Sequence, residues 1–207
     1  MKERQKLKAS KKALEFLTRL IEKRKIVLGL GSGTTMAIFV KLLGESDLKK
    51  QVRVIPSSIQ IRNEAKRAGL KTVNNGKPVI SIDGSDQING KKEMLKGHGA
   101  LAFVKEKEMD YAARKVIFVA DKSKLGELTK PVLVEVKSNK VKEVKEKLKE
   151  ECKVLKEVRH NGNKVLFLNF GKVKNPKKLE QRLNSVDGIL GNGIFAHFRR
   201  KPIIISE

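Results

Sequence analysis

The stretch Ile26-Val-Leu-Gly-Leu-Gly-Ser-Gly-Thr-Thr-Met36 joins an apolar run to a turn rich in glycine and hydroxyl side chains. Glycines allow the backbone to turn tightly and to approach a ligand. Ser32, Thr34 and Thr35 add hydroxyls beside the N–H groups that begin the next helix, and this arrangement suits a phosphate group. Thr34 stands where a dinucleotide-binding loop has its third glycine, and the lysine of a P-loop is absent. The turn therefore indicates either an anion site or a plain tight turn.

Strand-like and helix-like segments alternate through the first two-thirds of the chain. Buried strands are predicted at Ile26–Leu30, Val52–Ile55, Val79–Ile82 and Val116–Ala120, and helices at Thr35–Leu43, Ile59–Ala68 and Ala102–Arg114. This alternation predicts an α/β fold: a Rossmann-like parallel sheet with helices on both faces. Ligands of such sheets bind at the carboxyl ends of the strands. Gly31–Thr35, Ser57–Ser58 and Asp83–Gln87 follow three of the predicted strands.

The pattern changes near Pro131, where a small α+β lobe is predicted to begin. Its elements are a strand at Val132–Val136, a helix marked by apolar residues from Val141 to Leu155, a strand at Lys164–Phe170 and a helix at Pro176–Leu183. The runs Ile194–Phe198 and Ile203–Ile205 are short and apolar, and we expect them to return to the main sheet. The predicted domains are therefore an α/β catalytic domain, residues 1–130 and 191–207, and a lobe, residues 131–190.

Composition narrows the possible classes of protein. The chain has 207 residues, one cysteine and no apolar run near the ~20 residues that a membrane-spanning helix needs. A single cysteine excludes an internal disulfide and favours an intracellular, cytoplasmic protein. The net charge of +24 suggests a polyanionic partner, but aromatic residues make up only 4% of the chain, which argues against a base-stacking surface. Many lysines in residues 1–25 are expected on the solvent-exposed face of an amphipathic helix.

Two further segments carry side chains that could perform acid–base chemistry. Asp83-Gly-Ser-Asp-Gln87 places two carboxylates in a turn at a strand end, and Lys96-Gly-His-Gly99 is followed by Lys105-Glu-Lys107. Near a phosphate-binding loop, these groups could act on a phosphorylated small molecule. Each also has a structural interpretation, because Asp often caps a helix and Lys-Glu-Lys is typical of a solvated face. The three histidines are isolated, and no metal site is predicted.

Taken together, the motifs resemble ribose-5-phosphate isomerase of the A type. That family has a G-T-G-S-T loop, a D-G-A-D-E turn and a K-G-G-G segment ending in R-E-K, in the same order. The resemblance continues through three more segments and covers nearly the whole chain: Val119-Ala-Asp-Lys-Ser-Lys124, Asn161-Gly-Asn163 and Gly193-Ile-Phe-Ala196. Each motif alone is weak, but their combined order is specific.

The resemblance implies an aldose–ketose isomerase of the pentose phosphate pathway, which interconverts D-ribose 5-phosphate and D-ribulose 5-phosphate through an enediolate without metal or cofactor. Glu106 would be the base, and Lys96 would stabilise the oxyanion. Asp83 and Asp86 would hold sugar hydroxyls, with Asp83 assisting ring opening. The remaining implied substrate-binding residues are Gly31, Ser32, Gly33, Thr34, Thr35, Gly97, His98, Gly99, Lys124 and Lys11, with Lys8 as the alternative to Lys11.

The sequence departs from the family pattern at four places. Gln87 replaces a glutamate, His98 replaces a glycine, and Phe167 stands near the place of a strand aspartate. One extra residue lies between Lys96 and Glu106. The four residues implied in catalysis are all present, so retained activity is expected.

Two alternatives remain open at this point. The first is a non-catalytic sugar-phosphate-sensing domain, and the presence of Glu106 and Lys96 argues against it. The second is a basic nucleic-acid-binding protein, which the low aromatic content disfavours. By resemblance to the family, we expect a homodimer or homotetramer. Its expected ligand is a sugar phosphate, and no association with a membrane is expected.

Overall fold

The computed structural model describes residues 2–74 and 76–207, which divide into two compact units. The first unit contains the described residues up to Ser85 together with 105–124 and 198–207, and the second contains 86–104 and 125–197. Residues 86–104 and 125–130, which the sequence assigned to the catalytic domain, thus belong to the second compact unit. The predicted catalytic domain and lobe, divided at residues 130 and 191, stay a prediction.

The first unit is built around a six-stranded sheet. Its strands are β1 (Ile26–Leu30), β2 (Val52–Pro56), β3 (Lys71–Thr72), β4 (Ile80–Gly84), β7 (Lys115–Ala120) and β13 (Ile203–Ser206). Its helices are α1 (Lys2–Ile21), α2 (Thr34–Glu45), α3 (Ile59–Arg67) and α4 (Phe103–Ala112), of which the first two residues of α4 belong to the second unit. All neighbouring strands are parallel, as predicted.

The strand order of this sheet is β13-β7-β4-β1-β2-β3. From β1 the chain adds β2 and β3 on one side, and then returns to add β4, β7 and β13 on the other. The order therefore reverses between β1 and β4. In open parallel sheets, a crevice forms outside the carboxyl ends of the strands at such a switch point. The loop after β1 and the turn after β4 both lie at this place.

Helices cover both faces of the sheet because side chains alternate along each strand. Leu28 of β1 belongs to a fully buried core with Leu17 of α1 and Phe39 of α2. Gly29 faces the opposite side, where a side chain would lie 2.8 Å from Met109 of α4. The predicted Rossmann-like sheet with helices on both faces is therefore confirmed.

The second unit contains two antiparallel sheets and two helices. Strands β11 (Ile189–Asn192), β8 (Val132–Val136), β10 (Asn163–Asn169) and β9 (Lys153–His160) form one sheet in that order. Strands β12 (Ile194–Phe195), β6 (Met94–Leu95) and β5 (Gln87–Ile88) form the other. Helices α5 (Val141–Leu148) and α6 (Pro176–Asn184) pack buried leucines and valines against this core. This α+β composition agrees with the predicted lobe.

Two predictions about this region were wrong. The helix that begins at Val141 ends at Leu148, and Leu155 lies in β9 with its side chain 49% exposed. Cys152 continues the helical spacing and packs against the core, but the chain has already turned, and pairing with β10 makes the following residues a strand. Ile194–Phe195 pairs with β6, so only Ile203–Ser206 returns to the parallel sheet, beside β7. Which strand a short apolar segment pairs with is set by the tertiary fold and cannot be read from the segment itself.

None of the helices in the described ranges combines the length and the apolar character that crossing a membrane requires.

Candidate active site

Gly31 is the first residue after β1 and lies against the end of β4. Its N–H donates to the carbonyl of Ile82, 2.9 Å away. A Cβ built on Gly31 would lie 1.7 Å from Asp83 Oδ1, well inside any contact distance. The position therefore requires glycine because the Asp83 carboxylate occupies the space of the missing side chain.

Asp83 lies one residue before the carboxyl end of β4 as a fully buried carboxylate. Its Oδ1 accepts a hydrogen bond of 2.6 Å from the N–H of Gly84. A buried carboxylate must be hydrogen-bonded or paired to remain inside the protein. The backbone of the turn thus supports Asp83 at the switch point of the sheet.

The hydroxyl-rich loop runs directly into α2. Gly33 is the N-cap residue, with a φ of 90° that favours glycine, and Thr34 begins the helix. The first N–H groups of a helix have no carbonyl partner within it, and its dipole is positive at this end. The predicted phosphate-binding loop therefore has the backbone arrangement that an anion needs.

Glu106 is brought to this loop by α4. Its side chain is 3% exposed, and its Oε1 accepts hydrogen bonds from the N–H and the hydroxyl of Ser32. The N–H contact measures 3.0 Å and spans 74 residues of sequence. Both residues were predicted to belong to the site, but their contact was not predicted. The two donors fix the carboxylate beside the loop.

The N-terminal helix also reaches the loop. Lys6 Nζ donates to Thr34 Oγ1 at 2.7 Å, and the Ser10 hydroxyl donates to the carbonyl of Thr35 at 3.4 Å. Lys6 was not among the predicted site residues, although its spacing of four from Ser10 places both on one helical face. The role of Lys11 stays a prediction.

Lys124 lies in a short 3₁₀ turn at the carboxyl end of β7. Asp121 organises this turn, because its buried carboxylate accepts from the N–H and the hydroxyl of Ser123 and its carbonyl accepts from the N–H of Lys124. The predicted lysine thus follows a strand of the same sheet as Gly31 and Asp83, at the same end. Ser58, by contrast, is an N-cap: its hydroxyl accepts from the N–H of Ile61.

The second unit carries Asp86 and the Lys96–Gly99 segment. Asp86 Oδ2 accepts from the N–H of His98 at 2.9 Å, so the carboxylate is joined to the loop that was predicted to hold the oxyanion. Lys96 is 3% exposed, and its ammonium lies 5.3 Å from the centre of the Phe195 ring. Its N–H donates to the carbonyl of Gly193. Lys96 is thus a buried cation held by its backbone and by an aromatic ring.

Gly97 and Gly193 allow this segment to pack closely. Gly97 has a φ of 107°, and a side chain there would lie 2.6 Å from the Phe103 ring. A side chain on Gly193 would lie 2.4 Å from the carbonyl oxygen of Lys96. Both glycines of the resembling motifs are therefore required by the space around Lys96.

The residues that depart from the family pattern are integrated into the second unit. His98 Nε2 donates to the carbonyl of Pro131 at 2.8 Å, and its ring meets the edge of Phe167 with centroids 5.9 Å apart. Gln87 Oε1 accepts from the N–H groups of Thr129 and Lys130. His98 and Phe167, two of the departures, thus contact each other, and Gln87 fixes a neighbouring loop.

Comparisons with known proteins agree with this arrangement. The sequence model of the family Ribose 5-phosphate isomerase A (phosphoriboisomerase A) matches residues 53–207. That is about three-quarters of the chain. The chain belongs to the ribose 5-phosphate isomerase A family.

Relatives of this isomerase family match over most of their length. Ribose-5-phosphate isomerase A of Archaeoglobus fulgidus is 35% identical over 92% of this chain and 90% of its own, and that of Korarchaeum cryptofilum is 33% identical over 88% and 90%. A solved D-ribose-5-phosphate isomerase in complex with phospho-erythronic acid has a TM-score of 0.88 at 29% identity, covering all of this chain and 96% of its own.

No group of three or more His, Cys, Asp or Glu side chains that could hold a metal ion occurs in the described part of this isomerase-family chain. The donors that the site offers are instead backbone N–H groups, hydroxyls and ammonium groups.

The contact between Gly31 and Asp83 predicts the effect of Gly31→Ala. The added methyl group would push the Asp83 carboxylate or the loop out of place, because a built Cβ lies 1.7 Å from Oδ1. Overpacking of this kind typically costs about 1–3 kcal/mol of stability. We expect a melting temperature lowered by several degrees and a loss of loop geometry, measured by thermal unfolding and by kcat/KM.

Gly90→Ala is the matched control, because no described atom lies within 4 Å of a side chain at Gly90. It should leave both quantities unchanged. Equal behaviour of the two variants would show that Gly31 has no special spatial requirement.

Proposed function

We propose that this protein interconverts D-ribose 5-phosphate and D-ribulose 5-phosphate, with Glu106 as the base. The observation that carries the proposal is the carboxylate of Glu106, 3% exposed and bound through Oε1 to the N–H and hydroxyl of Ser32. A base that is hydrogen-bonded in one orientation and shielded from water is suited to proton transfer on carbon. Family membership supports the reaction itself.

The proposed reaction moves one proton between two carbon atoms. Glu106 removes the proton from C2 of the open-chain aldose, and the electrons of that bond flow to the aldehyde oxygen to give an enediolate. The same carboxylic acid then returns the proton to C1. The hydroxyl proton on O2 is transferred to O1, so that O1 becomes a hydroxyl and C2 the ketone carbon. One carboxylate suffices for both steps, since C1 and C2 are bonded to each other.

Lys96 is the proposed stabiliser of the enediolate oxygen. A buried ammonium group attracts developing negative charge more strongly than an exposed one, because the surrounding protein screens charge less than water does. Lys96 is 3% exposed, and the backbone that carries it is fixed by Gly193. The N–H groups at Gly97 and Gly99 are proposed to add donors for the same oxygen, while the N–H of His98 holds Asp86.

Asp83 and Asp86 are proposed to hold sugar hydroxyls, and Asp83 to accept a hydroxyl proton during ring opening. Each carboxylate is already oriented by a backbone donor, Asp83 by Gly84 and Asp86 by His98. Oriented acceptors select a sugar by its hydroxyl positions, because an unmatched buried acceptor would remain unsatisfied.

The proposed phosphate site is the loop Gly31–Thr35 at the start of α2, with Thr34 and Thr35 as hydroxyl donors. Ser32 lies in the same loop, and its own hydroxyl hydrogen is donated to Glu106. Gly33 opens the backbone at the N-cap, and the helix dipole favours a doubly charged phosphate there. Lys124 and Lys11 are proposed as additional cations. Lys6 already contacts the loop through Thr34.

The two alternative functions are less well supported. A sugar-phosphate sensor needs no buried base, whereas Glu106 is buried and oriented. A nucleic-acid-binding protein would not require the relation to ribose-5-phosphate isomerases over almost the whole chain. We further propose a homodimer or homotetramer in the cytoplasm, on the resemblance to the family and the single cysteine.

Replacement of Glu106 by Gln tests the assigned base. The amide keeps the size of the side chain but cannot accept a proton from carbon, and general-base catalysis is typically worth ~10²–10⁴-fold in rate. We expect Glu106→Gln to lose at least a hundredfold in kcat for ketopentose formation from ribose 5-phosphate, while thermal stability and substrate binding persist.

Glu108→Gln is the matched control, since it makes the same change two residues along α4 at an exposed position. Its kcat should equal that of the unaltered protein. If Glu106→Gln keeps turnover within about tenfold, another group is the base. If the unaltered protein binds the phosphosugar without turnover, the sensor alternative gains support.

The mechanism implied by the family requires no metal. Incubation with excess EDTA followed by gel filtration should therefore leave kcat unchanged. Loss of activity that returns on addition of a divalent cation would contradict the metal-free mechanism.

A further inference from the structure

A cavity lies in the first unit, at the amino-terminal ends of β1 and β2. It has a volume of about 620 Å³. Its lining consists of Lys25, Ile26, Val27, Lys49, Lys50, Gln51, Val52, Arg53, Gly69, Lys71 and Val79. We refer to it as the amino-end cavity. Five strand residues at ~3.3 Å each separate the two ends of β1, so the cavity lies about 16 Å from the loop at Gly31.

The amino-end cavity is strongly basic. Five of its lining residues are cations: Lys25, Lys49, Lys50, Arg53 and Lys71. No carboxylate belongs to the lining, and none of the five makes an ion pair with another residue in the described ranges. Lysines elsewhere do pair, as Lys145 does with Glu157 at 2.7 Å. Five clustered cations without counter-charges repel one another, and an anion would relieve that repulsion.

The adjoining surface extends the positive charge. A neighbouring cavity of about 300 Å³ shares Lys25, Ile26 and Val79 with the amino-end cavity. Its other cationic residues are Arg24, Arg114, Lys115 and Arg200. Nine of the 47 lysine and arginine residues thus line these two cavities, at the end of the sheet opposite the candidate active site.

One local feature of the amino-end cavity is a glycine beside a lysine. Gly69 has a φ of 68°, and a Cβ there would lie 2.6 Å from Lys49 Nζ. Glycine at this position therefore leaves space for the ammonium group in the cavity wall.

We infer that the amino-end cavity binds an oligophosphate chain of three or more phosphate groups, as in a nucleoside triphosphate or inorganic triphosphate. Its volume falls within the ~300–1,000 Å³ usual for small-molecule sites. Lysine and arginine are the side chains that bind phosphate through charge-assisted hydrogen bonds. No aromatic side chain lines the described cavity, so the base stacking that single-stranded RNA needs is not offered.

The test compares three anions by isothermal titration calorimetry with the full chain: inorganic tripolyphosphate, ATP and a twelve-residue oligouridylate. The unaltered protein should bind tripolyphosphate and ATP, with affinity that falls as salt is raised. Equal affinities would mean that the phosphate chain alone is recognised. Tighter binding of ATP would mean that the nucleoside also contacts the cavity. Both results support the inference.

The triple variant Lys50→Ala/Arg53→Ala/Lys71→Ala should weaken tripolyphosphate binding at least tenfold. Its matched control is Lys142→Ala/Lys147→Ala/Lys177→Ala, which removes the same charge from exposed positions of the second unit and should change the affinity less than twofold. Both variants should isomerise ribose 5-phosphate like the unaltered protein, because none of these residues belongs to the candidate active site. If the triple variant is unstable, Lys71→Ala alone should weaken binding about threefold.

Three results would overturn the inference. The first is no binding of tripolyphosphate by the unaltered protein at low salt. The second is equal affinity in the triple variant and its control, which would place the anion elsewhere, for example at the Gly31 loop. The third is binding of oligouridylate without binding of tripolyphosphate, which would assign the basic surface to nucleic acid. These readouts do not depend on turnover, so failure of the isomerase assignment would be seen separately.

Discussion

The approach of the Asp83 carboxylate to the backbone of Gly31 is the constraint on which the candidate site of the first unit depends. A side chain on Gly31 would overlap Asp83, so β1 and β4 can meet at their carboxyl ends only with glycine at this position. The strand order reverses between these two strands. The crevice of the sheet, the loop at Gly31–Thr35 and the buried Asp83 carboxylate therefore lie together where β1 and β4 end.

The contact between Ser32 and Glu106 adds the proposed base to this crevice. Helix α4 carries Glu106 in its first turn and covers the face of the sheet opposite α1 and α2. One face of α4 places Met109 against Gly29, and this packing fixes the helix against β1. Ser32 then holds the carboxylate through its N–H and its hydroxyl. The contact of Met109 with Gly29 and the contact of Glu106 with Ser32 thus both join α4 to β1 and the loop that follows it.

The departures from the family pattern form contacts that explain how the second unit accommodates them. His98 occupies a place where the family has glycine, and its ring contacts Phe167, which lies near the place of a family aspartate. The Nε2–H of His98 also satisfies the carbonyl of Pro131. The backbone N–H of His98 still donates to Asp86, so the imidazole side chain does not disturb this hydrogen bond.

The parallel sheet, its buried strands and most candidate residues could be predicted from the amino-acid pattern. Apolar runs of four to six residues and helical spacing report local burial, and ordered motifs such as Asp83–Asp86 report family membership. The pairing partners of short segments and the contacts between distant residues depend on the tertiary fold, which local patterns do not report. Leu155 fits helical spacing but pairs as a strand, and Ile194–Phe195 joins β6 instead of the main sheet. Ser32 meets Glu106, and Lys6 reaches Thr34, because contacts across 74 and 28 residues depend on how helices pack on the sheet.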